Sequence, residues 1–473
     1  MERRVFLGGR FEAGGSVQEV RSPFDGSVVS RVHQADVRQA DRALALAVER
    51  RGELGRLSAG RRRALCQAIS DGLATRLEEI ARIIALEAGK PIGAARTEVK
   101  RAVGTFAFAA GEVASYGGEL VPVDFDEAAR GYRGFSRLVP NGPVVGISPF
   151  NFPLNLSAHK VAPALAIGAP IVLKPPPQAP SAALVLAEIA LAAGAPEGAL
   201  SVLPCENAVA ERLATDPRVR LLSFTGSARV GWSLRGKVDR TRVLLELGGN
   251  AAVAIAEDAD LEWALDRTAL AAFAYAGQVC ISAQRVYAHR SIFAQVVRGL
   301  VERASRWPAG DPLDEATVVG PLIDERSADR LLSWVDEARR LGATVACGGA
   351  RRGGTLVDPI VVTGAPPSAK LVCEEAFGPV VVVEPYDDFD QALAAMNEGE
   401  YGLQAALFTR DLGRVGRAIE RLEVGGLVVN DAPTFRSDNM PYGGRKGSGL
   451  GREGLRYAME ELSERQMVVI GSR

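Results

Sequence analysis

One short stretch of the chain has the residues of a reactive thiol. In YAGQVCISAQR, residues 275–285, Cys280 is lodged between a glycine, a glutamine and a run of small residues. The five cysteines (Cys66, Cys205, Cys280, Cys347 and Cys373) are odd in number and far apart, with no C-x-x-C pair. Disulfides and zinc are therefore poor readings, and a reducing cytoplasm is the expected home. Only His33, His159 and His289 are present. That leaves little for a histidine-built metal site or a Cys-His pair, so a nucleophilic Cys280 would take a carboxylate as its helper.

A carboxylate of the right kind ends the apolar run in LLELGGN, where Glu246 is followed by Leu247 and a glycine pair. A partly apolar setting at a strand end would raise its pKa; a plain surface glutamate at a strand end is the bland alternative. In SPFNFP, residues 148–153, two prolines and two phenylalanines surround Asn151. An amide held so rigidly could donate to a developing oxyanion, an interaction that lowers a barrier by about 3–4 kcal/mol, or it could simply be a turn asparagine. FTGSARVG, residues 224–231, puts Gly226 and Ser227 between a strand and a helix carrying Gly231. Such a start binds phosphate, unless Ser227 merely caps the helix. Lys174 in VLKPPPQAP could meet ribose or phosphate, or be solvated. In CEEAFGPV, one carboxylate could hold ribose hydroxyls with Phe377 under a flat cofactor; an acidic loop edge is the alternative.

These residues need elements to hold them. With 473 residues, of which 47% are hydrophobic and 24% charged, the chain has material for two to four domains with a large core. The balance of 56 basic and 57 acidic side chains leaves no electrostatic footprint for nucleic acid. The opening MERRVFLGGRFEAGG has no apolar run and is not read as a secretory signal; no window approaches a membrane span. Residues 36–118 have helical periodicity, and residues 119–140 look like a hairpin or arm. PVVGISPF, PIVLKPP, RLLSFTGS and TRVLLELGG then alternate with helices, which predicts βαβ units and a mostly parallel sheet, with ligands beyond the strands' carboxyl ends. AAVAIA, VCISAQRVYAHR, DPIVVTGA, PVVVVEPY and GLVVN repeat the pattern. The terminal RQMVVIGSR reads as a strand in need of a sheet, which the 119–140 arm could offer, conceivably from another subunit.

SPFNFP, FTGS, LELGG, GQVC and EEAFGP occur in this order, and all resemble signature segments of the aldehyde dehydrogenase superfamily. The resemblance runs from SPFDGSVVSRV near the start to PYGGRKGSGLGREG near the end. It implies an α/β fold: a Rossmann-type cofactor domain (residues 1–118 and 141–247), an α/β catalytic domain (248–430), an oligomerisation arm and tail (119–140 and 456–473), and a substrate-pocket and closing segment (431–455). A homodimer or homotetramer is expected, without nucleic acid, membrane or metal.

By motif match, the resemblance implies that Cys280 is the nucleophile, that Asn151 and the Cys280 N–H hold the oxyanion, and that Glu246 activates water. Lys160 and Glu453 match a proton-relay pair. Ile147, Ser148, Phe150, Lys174, Gly226, Ser227, Gly231, Glu375 and Phe377 match cofactor positions. Many NAD-specific relatives carry an acidic residue three after the lysine; Pro177 stands there, which leaves NAD and NADP both open. FRSDNMPYGGRKGSGLGREG is most similar to the branch of lactaldehyde, non-phosphorylating glyceraldehyde-3-phosphate and phosphonate-aldehyde dehydrogenases. Arg436 resembles an arginine that grips an anionic substrate, with Tyr442 and His159 as further substrate contacts, although a satisfied helix histidine is the alternative for His159. Val279 replaces an arginine that the glyceraldehyde-phosphate enzymes carry before the cysteine. The expected substrate is a small, polar or anionic aldehyde. A CoA-acylating enzyme, a catalytically retired binding protein and a cysteine hydrolase without redox chemistry are the rivals.

Overall fold

The computed structural model describes residues 1–471. Two largely parallel sheets organise it. In the first, five parallel strands run in the spatial order Arg242–Glu246, Leu221–Thr225, Val144–Ile147, Ile171–Lys174 and Leu200–Val202. The first strand in sequence, Val144–Ile147, is central, and the chain winds away from it in both directions. Its carboxyl end therefore faces the switch point where doubly wound sheets open a ligand crevice. Both edges close antiparallel, with Val5–Leu7 and Arg10–Glu12 on one side and Gly449–Leu450 on the other. That last strand pairs Gly449 with Glu246 and so brings the closing segment against the strand end carrying the carboxylate.

The second sheet has the order Thr344–Cys347, Ile360–Thr363, Val380–Tyr386, Ala283–His289, Ala251–Ile255, Gln404–Phe408 and Gly426–Val429. All pairs are parallel except that of the first edge strand. The strand predicted over VCISAQRVYAHR begins only at Ala283, so Cys280 lies in the loop that feeds it. Its backbone polar groups are thus outside the ladder.

The predicted helical region resolves into Val37–Gly55, Ala59–Thr75, Leu77–Ala88 and Ile92–Glu112. The last three pack their apolar faces with the helices Asn155–Ile167 and Ser181–Ala192 into one core, to which the first gives Leu54, while its Ala40, Ala43, Leu44 and Ala47 join a second core with the first sheet. Every residue of Asn155–Ile167 is buried, His159 and Lys160 included. Buried polar groups must find partners, and those partners build the site.

The terminal strand, Ser463–Ile470, pairs antiparallel with Arg133–Pro140 of the same chain, which in turn pairs with Leu120–Val121. The sheet sought for the tail is therefore supplied within the chain rather than across a subunit boundary; the last residues of RQMVVIGSR, 472–473, lie outside the described residues. Among the described residues no helix is long and apolar enough to cross a membrane.

Candidate active site

Cys280 is half-buried and follows a tight turn, Ala274–Gly277, in which Tyr275 and Ala276 both have φ of 53°. Left-handed backbone at two non-glycine residues costs free energy and persists only where the surroundings hold it. Here the Tyr275 N–H donates to the Val318 carbonyl at 3.0 Å, its hydroxyl donates to the Ala88 carbonyl at 3.1 Å, and a buried ion pair lies against its ring. Lys90 Nζ lies 2.5 Å from Glu98 Oε2, 4.6 Å from the ring centre of Tyr275 and 3.5 Å from that of Phe152. Glu98 Oε1 accepts from the N–H groups of Leu154 and Asn155. One ion pair thus clamps both the cysteine loop and the SPFNFP loop. Burial lowers the Lys90 ammonium to about 8. Neither Lys90 nor Glu98 stood out in the sequence, because their role depends on pairing within a core.

Cys280, Asn151 and Glu246 line a single cavity of about 260 Å³, together with Phe150, Thr225, Gly226, Ser227, Glu375 and Phe377. Asn151 Nδ2 donates to the Gln278 carbonyl at 3.0 Å, which fixes the amide and leaves its second hydrogen free. Among the described residues the Cys280 N–H donates to no protein acceptor. These are the two donors that an oxyanion on a Cys280 adduct would need.

The glycine pair after Glu246 has a steric reason. A Cβ on Gly248 would meet Glu375 Oε2 at 2.3 Å, and one on Gly249 would meet the Cys280 carbonyl at 2.4 Å. Only glycines let the Glu246 strand exit between nucleophile loop and Glu375. Glu246 itself is 3% exposed, and among the described residues neither carboxylate oxygen has a hydrogen-bond partner. Burial, and then the Glu453 charge, raise its pKa well above the usual carboxylate value against the pull of Arg436, Lys160 and Arg452. Burial likewise pushes the Cys280 thiol up to about 11.

Behind the cavity is a polar cluster. Lys160 Nζ donates to Ser223 Oγ (3.0 Å), Thr225 Oγ1 (2.7 Å) and Glu453 Oε1 (3.1 Å), which joins the pair that the sequence had linked. Both ring nitrogens of His159 are engaged: Nε2 with Asp438 Oδ1 at 2.9 Å, Nδ1 with Arg436 Nη2 at 2.9 Å and Glu453 Oε2 at 3.2 Å. Arg436 stacks on Tyr442, its guanidinium carbon 3.7 Å from the ring centre, and its buried Nε lies 4.0 Å from Asp438 Oδ1 without a hydrogen-bond partner among the described residues. The Tyr442 hydroxyl lies 3.2 Å from Cys280 Sγ. Asp438, overlooked in the sequence, also binds Arg101 at 2.6 Å. Burial would raise its carboxyl, but the His159 and Arg101 contacts outweigh that and hold it well below the ordinary range. His159 and Arg436 do not line the Cys280 cavity itself.

The cofactor positions divide between two cavities. Phe150, Gly226, Ser227, Glu375 and Phe377 line the one with Cys280, where Phe150 and Phe377 meet edge to face at 5.9 Å. Ile147 and Lys174 line a second, of about 370 Å³, with Phe224 and Arg229. The helix Ala228–Lys237 starts between them. The Ser227 side chain does not cap it, and among the described residues the Ala228 and Arg229 N–H groups have no protein acceptor, the arrangement that receives a phosphate. Glu375, pushed up to about 7 by burial, accepts from the Gly249 N–H at 3.0 Å and keeps lone pairs for hydroxyl donors. These residues fit a dinucleotide. Two positions act from behind: Ser148 Oγ bonds Ser157 Oγ at 2.9 Å, and a Cβ on Gly231 would strike Leu247 at 2.4 Å, so that glycine lets helix and strand close up.

Known proteins place this geometry. The aldehyde dehydrogenase family profile matches residues 11–468. A 3-sulfolactaldehyde dehydrogenase from Priestia aryabhattai is 39% identical over 467 residues, covering 98% of this chain and 97% of the relative. The crystal structure of aldehyde dehydrogenase 21 from Physcomitrella patens, in complex with the reaction product succinate, superposes with a TM-score of 0.97 at 39% identity, covering 99% of this chain and 98% of that one. Glyceraldehyde-3-phosphate dehydrogenase GapN from Methanocaldococcus jannaschii, complexed with NADP, does so with a TM-score of 0.93 at 36% identity, covering 97% and 100%. This chain belongs to the aldehyde dehydrogenase family.

Proposed function

We propose that the protein oxidises a small anionic aldehyde to its carboxylic acid with NAD or NADP. The observation that carries this is the single cavity in which Cys280, two free oxyanion donors and a partnerless buried Glu246 face the dinucleotide positions. Cys280 Sγ attacks the carbonyl carbon, and the oxyanion forms against its own N–H and the Asn151 amide. A bound nicotinamide would supply the acceptor for the hydride that turns the thiohemiacetal into a thioester. Glu246, desolvated and basic, then takes a proton from water as the water attacks the thioester. Lys160 and Glu453 are proposed to pass that proton on, and residues 1–118, 141–247 and 248–430 to divide into cofactor and catalytic domains.

An anionic substrate is favoured by Arg436, whose side chain is 6% exposed and stacks on Tyr442 beside Cys280, and whose Nε, 4.0 Å from Asp438 Oδ1, makes no hydrogen bond among the described residues. Sulfolactaldehyde and succinate, named for the relatives above, are both anions. His159 orients Arg436 rather than touching substrate. Among the described residues no ion pair engages Lys174 or Arg229 in the second cavity, whose lining acid, Glu211, is paired with Lys237 at 2.7 Å, and Pro177 offers no acid, so NADP is favoured over NAD. A cytoplasmic homo-oligomer is part of the same proposal: the arm exposes Leu120 and Phe125 at 87% and 88%, with Val469 and Ile470 beside them, and a second copy would cover them.

The test is reduced-cofactor absorbance with NAD and NADP across sulfolactaldehyde, succinate semialdehyde, glyceraldehyde-3-phosphate, lactaldehyde and a plain alkyl aldehyde. The anionic aldehydes should lead, and Arg436→Leu should raise their KM while sparing the neutral ones. Equal rates with all five would refute the anion grip; no reduction with any would refute the catalytic assignment. Acyl-CoA formed in place of free acid, with turnover only when CoA is present, would favour the acylating rival, which the position of Glu246 opposes.

A further inference from the structure

Beyond its place near the substrate, Tyr442 touches the nucleophile. Among the described residues its hydroxyl is the one side-chain group within hydrogen-bond distance of Cys280 Sγ, at 3.2 Å. Three constraints leave the phenol no other orientation. Its backbone exchanges reciprocal hydrogen bonds with Glu453, Tyr442 N–H to the Glu453 carbonyl at 3.0 Å and Glu453 N–H back at 2.7 Å. Its ring packs with Ile281 and Leu403. The Arg436 guanidinium covers one face at 3.7 Å and is itself held by His159. A cation over the ring draws electron density from it and makes the O–H a stronger donor.

Burial keeps this phenol protonated far above neutral pH, so towards a thiolate it can act only as a donor. The same burial disfavours the Cys280 thiolate, and of the groups that oppose it the Tyr442 contact is the largest. Among the described residues no histidine or lysine bonds the sulfur.

We propose that Tyr442 is a catalytic residue whose hydroxyl donates to the Cys280 thiolate and so supplies the nucleophile in its reactive form. The S–H proton leaves to water in the cavity, Tyr442 keeps its own, and the sulfur lone pair becomes the S–C bond as the aldehyde is attacked. The proposal rests on Cys280 as the nucleophile, not on which aldehyde it meets.

A hydrogen bond to a charged group is worth about 1.5–3 kcal/mol, or about one to two pH units of thiol ionisation. Losing it cuts the thiolate fraction below the midpoint about 10- to 100-fold. The remaining thiolate is more nucleophilic, with a Brønsted slope of about 0.4–0.5, which returns about 3- to 10-fold. The net loss is about 3- to 10-fold.

Iodoacetamide alkylation of Cys280, followed by mass spectrometry between pH 7 and 9 on the cofactor-free protein, reads this without any substrate. Tyr442→Phe keeps the ring and the Arg436 stacking, and should be alkylated about 3- to 10-fold more slowly at each pH with an unchanged thermal midpoint. 3-Fluorotyrosine placed at 442, a more acidic phenol of nearly the same size, should be alkylated faster than wild type. Alkylation of the Phe variant at the wild-type rate or above would overturn the proposal; so would an unchanged rate with fluorotyrosine, which decides the matter if the Phe variant folds poorly. A Tyr442 that only contacts substrate would raise KM and leave alkylation unmoved. An aldehyde panel without turnover would strike the proposed function while leaving this measurement intact.

Discussion

Glu246 and Glu453 lie in one site, both at most 3% exposed, and the Glu453 charge acts on Glu246. Their surroundings differ completely. Glu453 is met by Lys160 at 3.1 Å and His159 at 3.2 Å, with Arg436 nearby. Burial pushes it up, but the Lys160 charge and the His159 contact overcome that and hold it well below the usual range. Glu246 has no partner on either oxygen, so burial dominates and its pKa goes up. The lesson is that burial alone does not set a carboxylate's chemistry: partners make one a fixed anion, and their absence makes the other a base. Two titratable groups driven apart by environment is the pattern by which acid–base roles are assigned.

The sharpest way to break the contrast is Glu246→Gln. As loss of a general base it should slow deacylation about 100- to 10,000-fold, while the first turnover survives as a burst and the acyl-enzyme accumulates to a mass visible in the intact protein. A steady rate equal to wild type would remove Glu246 from the mechanism. Stability should move the other way. A carboxyl whose folded pKa is raised above 4.5 costs the fold more as pH rises from that value through the folded one. The neutral amide should therefore raise the thermal midpoint, by a margin that grows with pH.

Next in size is the partner side. Lys160→Met leaves Glu453 buried without its lysine, and breaking a buried pair costs about 3–5 kcal/mol; denaturant titration should read that loss. Because Lys160 also pulls Glu246 down, the pH midpoint of deacylation should move up in this variant. In Glu453→Gln, which removes the charge that pushes Glu246 up, it should move down. Shifts of the same sign in both variants would mean that the two glutamates are not electrostatically linked.

Sequence alone carried much of this. The parallel strands and their exits were legible from short apolar runs broken by Gly and Pro, and Cys280, Glu246 and Asn151 from the order of their motifs. What escaped has a common cause. Lys90, Glu98, Asp438 and Arg101 are ordinary charged residues in helical or loop sequence, and only tertiary packing puts Lys90 under Phe152 and Tyr275, or Asp438 between His159 and Arg101. The Lys160–Glu453 link spans most of the chain and was readable only through the family pattern. The tail strand and its partner in the 119–140 arm were both legible; that both belong to one chain was not, since strand pairing is non-local. The Tyr442 contact with sulfur is a matter of register: the Tyr442–Glu453 bridge turns the ring towards Cys280, and spacing carries no trace of that.

Glu375 sits between the two extremes and gives the smallest effect. It has one backbone donor, Gly249 N–H, and a distant Arg330 charge, against burial that pushes it up to about 7. If it accepts from ribose hydroxyls, its carboxylate form is the competent one. Cofactor affinity should then rise as pH climbs through about 7 and level off above it. Below that pH, binding should release a proton, measurable as a buffer-dependent heat in titration calorimetry. Glu375→Gln should weaken binding about 10- to 100-fold above pH 7, the worth of hydrogen bonds to a charged acceptor, and should flatten the pH dependence. A wild-type affinity already flat from pH 6 to 8 would mean that Glu375 is ionised throughout, and would move it beside Glu453 in the comparison.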